Sequence, residues 1–245
     1  MIKDKFYNNL FDKFIEIVTD NNLLDKTVTV IGRALSATEA IGDTEKKDFP
    51  ILKGKEKLLE AEIKGVKGQA FTDMPSNYSG TLKEIIEMPL DNNFNVAIYI
   101  ATLNAVCRYL KIADNTVHCK DDGPEKCSVE LASYLESRFG KPKVALIGYQ
   151  PSMLDRLSKS FEIRVVDLDQ NNINTMKYGV MVEDGDKDTE DLLKWCDVIL
   201  ATGSTIANKT ITSLFVENKP TIFFGTTLAG AAVIMGLERF CPCSK

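Results

Sequence analysis

Histidine is nearly absent: the chain has one in 245 residues. A zinc site built from several histidines is thereby excluded within a single chain. Long apolar runs are missing too. None approaches the roughly 20 residues that a membrane-spanning helix needs. The N-terminus mixes Lys3, Asp4 and Lys5 and lacks the apolar stretch of a secretory leader. There is no basic excess: 30 Lys and Arg stand against 35 Asp and Glu, a net charge of −5. Without a concentrated basic surface, nucleic acid is not expected as a partner, and neither is a membrane. Internal repeats and low-complexity segments are absent. A cytoplasmic location is expected, where the six cysteines stay reduced and serve packing, metal or redox chemistry rather than disulfides.

What is present is ordinary for a globular protein, 44% hydrophobic and 27% charged. The length suits one large domain or two small ones. Phe6, Leu10, Phe11, Phe14, Ile15 and Val18 recur at helical spacing. Residues 27–32 form a β-branched run that predicts a strand, and residues 37–41 predict a short extended piece. Asp48-Phe49-Pro50 predicts a turn or extended element, because the residue before proline avoids the helical region; the rest of 48–68 assigns itself to no element. Helices are expected from just after Gly80 to about Glu87 and over about 93–111. Asp121, Asp122, Gly123 and Pro124 then interrupt the pattern. That break divides a domain of residues 1–115 from one of residues 116–245. A helix over 128–139 opens the second.

The second half alternates. Apolar strands are expected at 143–148, 162–168, 197–201 and 221–225. Helices are expected at 151–159, just before Trp195, at 205–216 and at 228–235. This order predicts an α/β fold: a Rossmann-like parallel sheet with helices on both faces.

Ligands of open α/β sheets bind beyond the carboxyl ends of the strands. Here the first strand ends in Gly148-Tyr149-Gln150-Pro151, a tight turn into a helix start whose free N–H groups suit an anion. It is not the three-glycine dinucleotide fingerprint, and a plain strand-to-helix turn explains it equally. Asp167 ends the second strand at about the separation from Gly148 at which an acidic residue meets a ribose; a solvated acidic turn with Asp169 is the alternative. Thr202-Gly203-Ser204-Thr205, followed by Asn208 and Thr210, ends the third strand with more small and hydroxylated groups than one helix cap requires. Gly225-Thr226-Thr227 ends the fourth. Together these predict a polar cradle for phosphate, carboxylate or a metal-bound ligand. In the first half, Thr102 and Asn104 are polar on an apolar helix and either face a cleft or satisfy a core hydrogen bond. Lys53-Gly54-Lys55 reads as solvated surface or as cleft lining.

Cys241-Pro242-Cys243 puts two thiols where they can clasp one soft metal ion. His118, Cys119 and Cys127 could add N and S donors, although the spacing matches no standard zinc motif. Cys107 and Cys196 read as core residues.

Taken in order, Asp48-Phe49-Pro50 with Lys53-Gly54, Gly68-Gln69-Ala70-Phe71-Thr72-Asp73, Thr102 to Ala105, Gly148-Tyr149, Asp167-Leu168, the Thr202 to Thr205 motif with Asn208 and Thr210, and Phe224-Gly225-Thr226 resemble a family of uncharacterised prokaryotic proteins labelled as heavy-metal chelation proteins. The resemblance covers nearly the whole chain. It implies a smaller α+β N-terminal domain similar to that of enolase, a Rossmann-like C-terminal domain, and an active site in their shared cleft. The enolase likeness concerns fold and not chemistry.

The leading expectation is a protein that handles a heavy metal or metal chelate in an interdomain cleft. Thr102, Asn104, Gly148, Tyr149, Asp167, Thr202, Gly203, Ser204, Thr205, Asn208, Gly225 and Thr226 would contact the ligand. Cys241, Cys243, Cys119 and His118 would hold a soft transition metal. Two further readings stay open: an enzyme using S-adenosylmethionine or another nucleotide-type cofactor, and a non-catalytic module for a small anion. No histidine or carboxylate pair dictates a general base, so catalysis is left open, as is a homo-oligomer.

Overall fold

Two sheets organise the molecule. The computed structural model describes residues 5–31, 37–53, 56–74 and 76–245. Lys3, Asp4, Gly32 and the Gly54-Lys55 pair lie outside them, as do the side chains of 29–31 and of residue 37. Among the described residues no helix is long and apolar enough to cross a membrane.

The first half begins with helix α1 (Lys5–Asp20), which buries Tyr7, Leu10, Phe14 and Val18 along one stripe. Strand β1 (Thr27–Ile31) follows as expected. Residues Ala37–Ile41 form a short helix, α2, and not the extended piece their sequence predicts. Its closing bond runs from Gly42 N to Thr38 O, 3.0 Å. Ala40 and Ile41 pack on Phe49, Ile51 and Leu58, so burial and the helix-forming alanines outweigh the weak strand signal. Pro50 opens the four-residue α3 (Pro50–Lys53), a position where its missing N–H costs nothing.

Strands β2 (Lys57–Ile63) and β3 (Val66–Thr72) make a hairpin, and β4 (Tyr78–Thr81) leads into α4 (Leu82–Ile86). The sheet runs β3-β2-β1-β4, with every pair antiparallel. Helix α5 (Asn93–Tyr109) covers it, capped by the Asn92 side chain on Asn95 N at 2.9 Å.

The second half opens with α6 (Gly123–Phe139), five positions earlier than expected. Pro124 stands in its first turn and starts the helix instead of interrupting the pattern. Then come β5 (Val144–Ile147), α7 (Pro151–Leu157), β6 (Ile163–Asp167), β7 (Met176–Lys177), β8 (Val180–Asp184), α8 (Thr189–Trp195), β9 (Val198–Thr202), β10 (Thr221–Phe224) and α9 (Ala229–Met235). The sheet order is β10-β9-β5-β6-β8-β7, parallel except for the edge pair β7–β8. The helix expected over 205–216 is replaced by two short 3-10 turns, Gly203–Ile206 and Ile211–Leu214. Threonine hydroxyls there bond to nearby backbone instead of leaving it to an α-helical ladder: Thr205 Oγ1 donates to Thr202 O at 2.8 Å.

Alternation along the parallel strands divides the core. Val144, Leu146, Val165, Val198, Leu200 and Ile222 face α6 and α7. Ala145, Ile147, Val166, Ile199, Ala201 and Phe223 face the other way, into a cluster that also contains α1, α5, α8 and α9 residues. That second cluster continues into the first sheet through Leu59, Ala61 and Ala70. The two halves thus share one apolar core. Tyr7 of α1 donates to Ile206 O, 2.8 Å away, and so ties the N-terminal helix to the far half.

Candidate functional site

The four parallel strands β5, β6, β9 and β10 end on one edge, which collects the motifs of the second half. Gly148 leaves β5 with φ at 90°, and a methyl group there would lie 2.7 Å from Thr202 Cγ2. Only glycine takes this turn at no cost beside the end of β9. Tyr149 N donates to Asp167 Oδ2 at 2.6 Å and Asp169 N to Oδ1 at 2.7 Å. Asp167 therefore braces both loops. Gln150 Oε1 accepts from Met153 N at 2.5 Å and caps α7.

Thr202 caps its own 3-10 turn, accepting from Ser204 N at 3.3 Å. A methyl on Gly203 would lie 2.9 Å from Leu228 N, so this glycine serves close loop packing. Thr205 is buried. At Gly225 the corresponding position meets nothing within 4 Å, which leaves open space at the end of β10. Asn208 and Thr210 are exposed and bond to each other, Oγ1 to Oδ1 at 2.7 Å.

The first half reaches over this edge. Asp48 accepts from the phenols of Tyr149 and Tyr178. Burial first, and then the Asp48 carboxylate, push both phenols up, so both remain protonated donors. Lys46 pairs with Asp155 of α7 at 2.7 Å. Glu56 stands partly buried just before β2. Desolvation pushes its carboxyl up to about 7, and the charges of Asp167, Asp169 and Asp73 add to the shift. Asp73 is held by Asn93 Nδ2 at 3.0 Å. Desolvation also raises Asp167, against the lowering effect of its backbone donors. Carboxylates of both halves thus act electrostatically on Glu56.

Thr102, Asn104 and Thr226 lie deeper. All three are fully buried. Asn104 Nδ2 faces Gln69 O, Thr226 O and Thr227 O at 2.9, 3.1 and 3.0 Å, and its Oδ1 accepts from Gly230 N at 2.7 Å. It stitches α5, β3 and the start of α9 together, the core role left open by its sequence. The hydroxyls of Thr102 and Thr226 have no hydrogen-bond partner among the described residues.

The thiols form another group. Cys119 and Cys127 are buried, and Cys241 and Cys243 are half-buried beside them. Val117 and Lys245 exchange both backbone bonds, 2.7 and 2.8 Å, which draws the chain end to this segment. His118 turns elsewhere. Its N–H donates to Gln69 Oε1 at 2.7 Å, its Nδ1 meets Cys119 O at 2.6 Å, and its ring stands edge-on to Phe71. Among the described residues no group of three His, Cys, Asp or Glu side chains is arranged to hold a metal ion as it stands. Cys107 and Cys196 are buried, in the larger apolar cluster.

Two surface hollows of about 400 and 360 Å³ lie away from the strand ends, one beside Phe215, Lys219 and Glu238, the other beside Phe11, Pro89 and Tyr99. Glu56, Tyr178, Lys46 and Asp155 are the residues here that the sequence did not single out. The one available signal was Asp48, already part of the motif order, whose partners are 101 and 130 positions away.

A family model, DUF364, described as "Putative heavy-metal chelation", matches residues 132–234. No curated protein matches. Among solved structures, a DUF364 protein of unknown function from Pyrococcus horikoshii is similar with a TM-score of 0.55 and 15% identity, over 91% of this chain and 79% of that one. Another DUF364 protein of unknown function, from Desulfitobacterium hafniense DCB-2, gives 0.47 and 14%, over 73% of this chain and 72% of that one. At such identities the Pyrococcus likeness bears on the fold alone. The family match thus covers residues 132–234 and is to the family that the sequence resembles.

Proposed function

We propose that the protein binds a positively charged small ligand, a metal ion or a metal chelate, in the cleft between a Rossmann-like sheet and a smaller enolase-N-terminal-like unit. The observation that carries this reading is that the charges of Asp167, Asp169 and Asp73, drawn from both halves, all disfavour the Glu56 carboxylate. A cation relieves such repulsion; because no three of these side chains among the described residues are arranged to hold a bare ion as they stand, it would be met through water or through its own ligands. The donors here are oxygens, which suit a hard cation; a soft heavy metal prefers sulfur. A heavy metal would therefore enter this cleft inside its own chelate, with Gly225 and the Thr202–Ser204 turn beside the chelate's polar atoms.

Isothermal titration with Mn2+ and with hexamminecobalt(III), an inert complex cation, tests this. Both should bind, and Glu56→Gln combined with Asp167→Asn should weaken each by about tenfold or more. Equal affinity in parent and double variant would remove the cleft from the account.

A second reading has support in the β5 turn. Gly148 at φ 90° with Asp167 across from Tyr149 N is the arrangement in which an adenosine-type ligand such as S-adenosylmethionine would lie. Both Asp167 oxygens already accept backbone N–H groups, which limits them for a ribose and for a cation alike; the acidic charges acting on Glu56 favour the cation. Binding of S-adenosylhomocysteine with no response to either cation would reverse that preference.

A further inference from the structure

The chain end brings four thiols from distant positions to one place. A methyl on Gly123, at the start of α6, would lie 2.9 Å from Cys119 Cβ, 3.4 Å from Cys119 Sγ and 3.8 Å from Cys243 Cβ. Cys119 and Cys243 therefore flank the same turn of α6. Cys127 stands four positions after Gly123, on the same face of that helix. It belongs to the apolar cluster against which Cys243 packs. Cys241 is placed by Asn115 Nδ2 and Ser244 Oγ, which donate to its carbonyl at 3.3 and 2.7 Å. Burial first, and then the neighbouring thiols, disfavour the thiolate at Cys127 (Cys241, Cys119 and Cys243) and at Cys119 (Cys241 and Cys243).

Packing alone does not account for this group. Cys241 and Cys243 are only half-buried, and a two-thiol tip adds little to an apolar core. All six cysteines are free thiols.

We propose that Cys119, Cys127, Cys241 and Cys243 form a four-thiolate site for a soft divalent cation of the zinc class, separate from the acidic cleft. Four thiolates are a donor set of closed structural zinc sites. Here two ligands are anchored on the α6 side and two sit on a terminal turn with a proline between them. The sulfurs do not yet enclose a metal ion. Binding requires the terminal turn to close on Cys119 and Cys127, each thiol passing its proton to solvent as it coordinates. Lys126, near Cys243, and Arg239, near Cys241, offset the negative charge of the resulting tetrathiolate. His118 is outside this set, because its ring faces Phe71. The site makes the chain terminus a metal-closed clasp between residues 115–127 and the last strand.

Titration of the reduced full-length protein with Co2+ tests the assignment. One equivalent should bind with sulfur-to-cobalt charge transfer and the visible bands of tetrahedral cobalt, and Zn2+ should displace it. Cys127→Ser should weaken binding by more than about tenfold, the loss expected from outer-shell changes alone. Cys241→Ser with Cys243→Ser should abolish the charge-transfer band while the circular dichroism and thermal unfolding of the metal-free protein stay those of the parent. Cys196→Ser should leave it intact. Absence of that band in the parent, or its survival in the terminal double variant, would overturn the proposal. Asp167→Asn should not change the cobalt spectrum, so failure of the cleft reading leaves this site standing, and the reverse.

Discussion

Glu56 carries the strongest consequence of a single residue. Its carboxyl has a folded-state value of about 7 against an ordinary 4.5. A raised carboxyl binds its proton more tightly in the folded state. The stability it confers is therefore full below 4.5 and is lost as pH rises through about 7. Glu56→Gln should remove this dependence. The parent should lose about 2 kcal/mol more than the variant across that window, less than full linkage because Glu56 keeps some solvent. Urea unfolding at several pH values measures it, and parallel profiles would sink the assignment. Asn104 is a different case, since its amide meets four backbone groups in a dry seam. Asn104→Ala strands those groups and should cost about 3 kcal/mol. A loss below about 1 kcal/mol in the same unfolding assay would show that solvent reaches the seam. Asn104 was legible as a polar residue on an apolar helix. Glu56 was not, because its shift comes first from burial by the folded chain and then from Asp167 and Asp169, more than a hundred positions away, and from Asp73.

Among the elements, the turn after β5 is the most constrained. Gly148 and Gly225 both have φ near 90°, but only at Gly148 would a methyl meet Thr202. Alanine at Gly225 should cost backbone strain alone, about 1–3 kcal/mol. Alanine at Gly148 should cost more, because Thr202 must also move. Thermal unfolding of the two variants compares them directly, and an equal loss would remove the steric part. The same contrast explains which elements could be read in advance. Strands β5, β6, β9 and β10 are buried on both faces, so their apolar, β-branched runs announce themselves. The β2–β3 hairpin did not, since Lys57 to Ile63 is rich in Leu, Glu and Ala, which favour helices. Its pairing with β1 and the cover of α5 override that preference. The two 3-10 turns after β9 were misread as a helix for the converse reason: apolar spacing was present, but threonine hydroxyls captured the backbone.

At the scale of the whole molecule, the halves are joined by a shared core and by a polar clamp. Asp48 on two tyrosines, and Lys46 on Asp155, hold residues 43–53 over the strand ends. The core linkage is apolar and continuous, so the clamp can open without unfolding the rest. Asp48→Ala should raise amide hydrogen exchange in residues 43–53 while α5 and β5 stay protected. Uniform loss of protection would mean that the clamp and the core form one cooperative unit. The DUF364 match covers the second half, whereas Glu56 and Asp73 of the cleft come from the first. Any ligand of the site must therefore meet both.

Location is the central issue, and paramagnetic broadening by Mn2+ in the protein's NMR spectrum addresses it most directly. The account requires the amide signals of Glu56, Asp73, Asp167 and Asp169 to broaden first, with those around Cys127 and Phe215 unaffected at the same Mn2+ concentration. Broadening centred on any other surface, or spread evenly over the exposed acids, would contradict a cation site between the two halves.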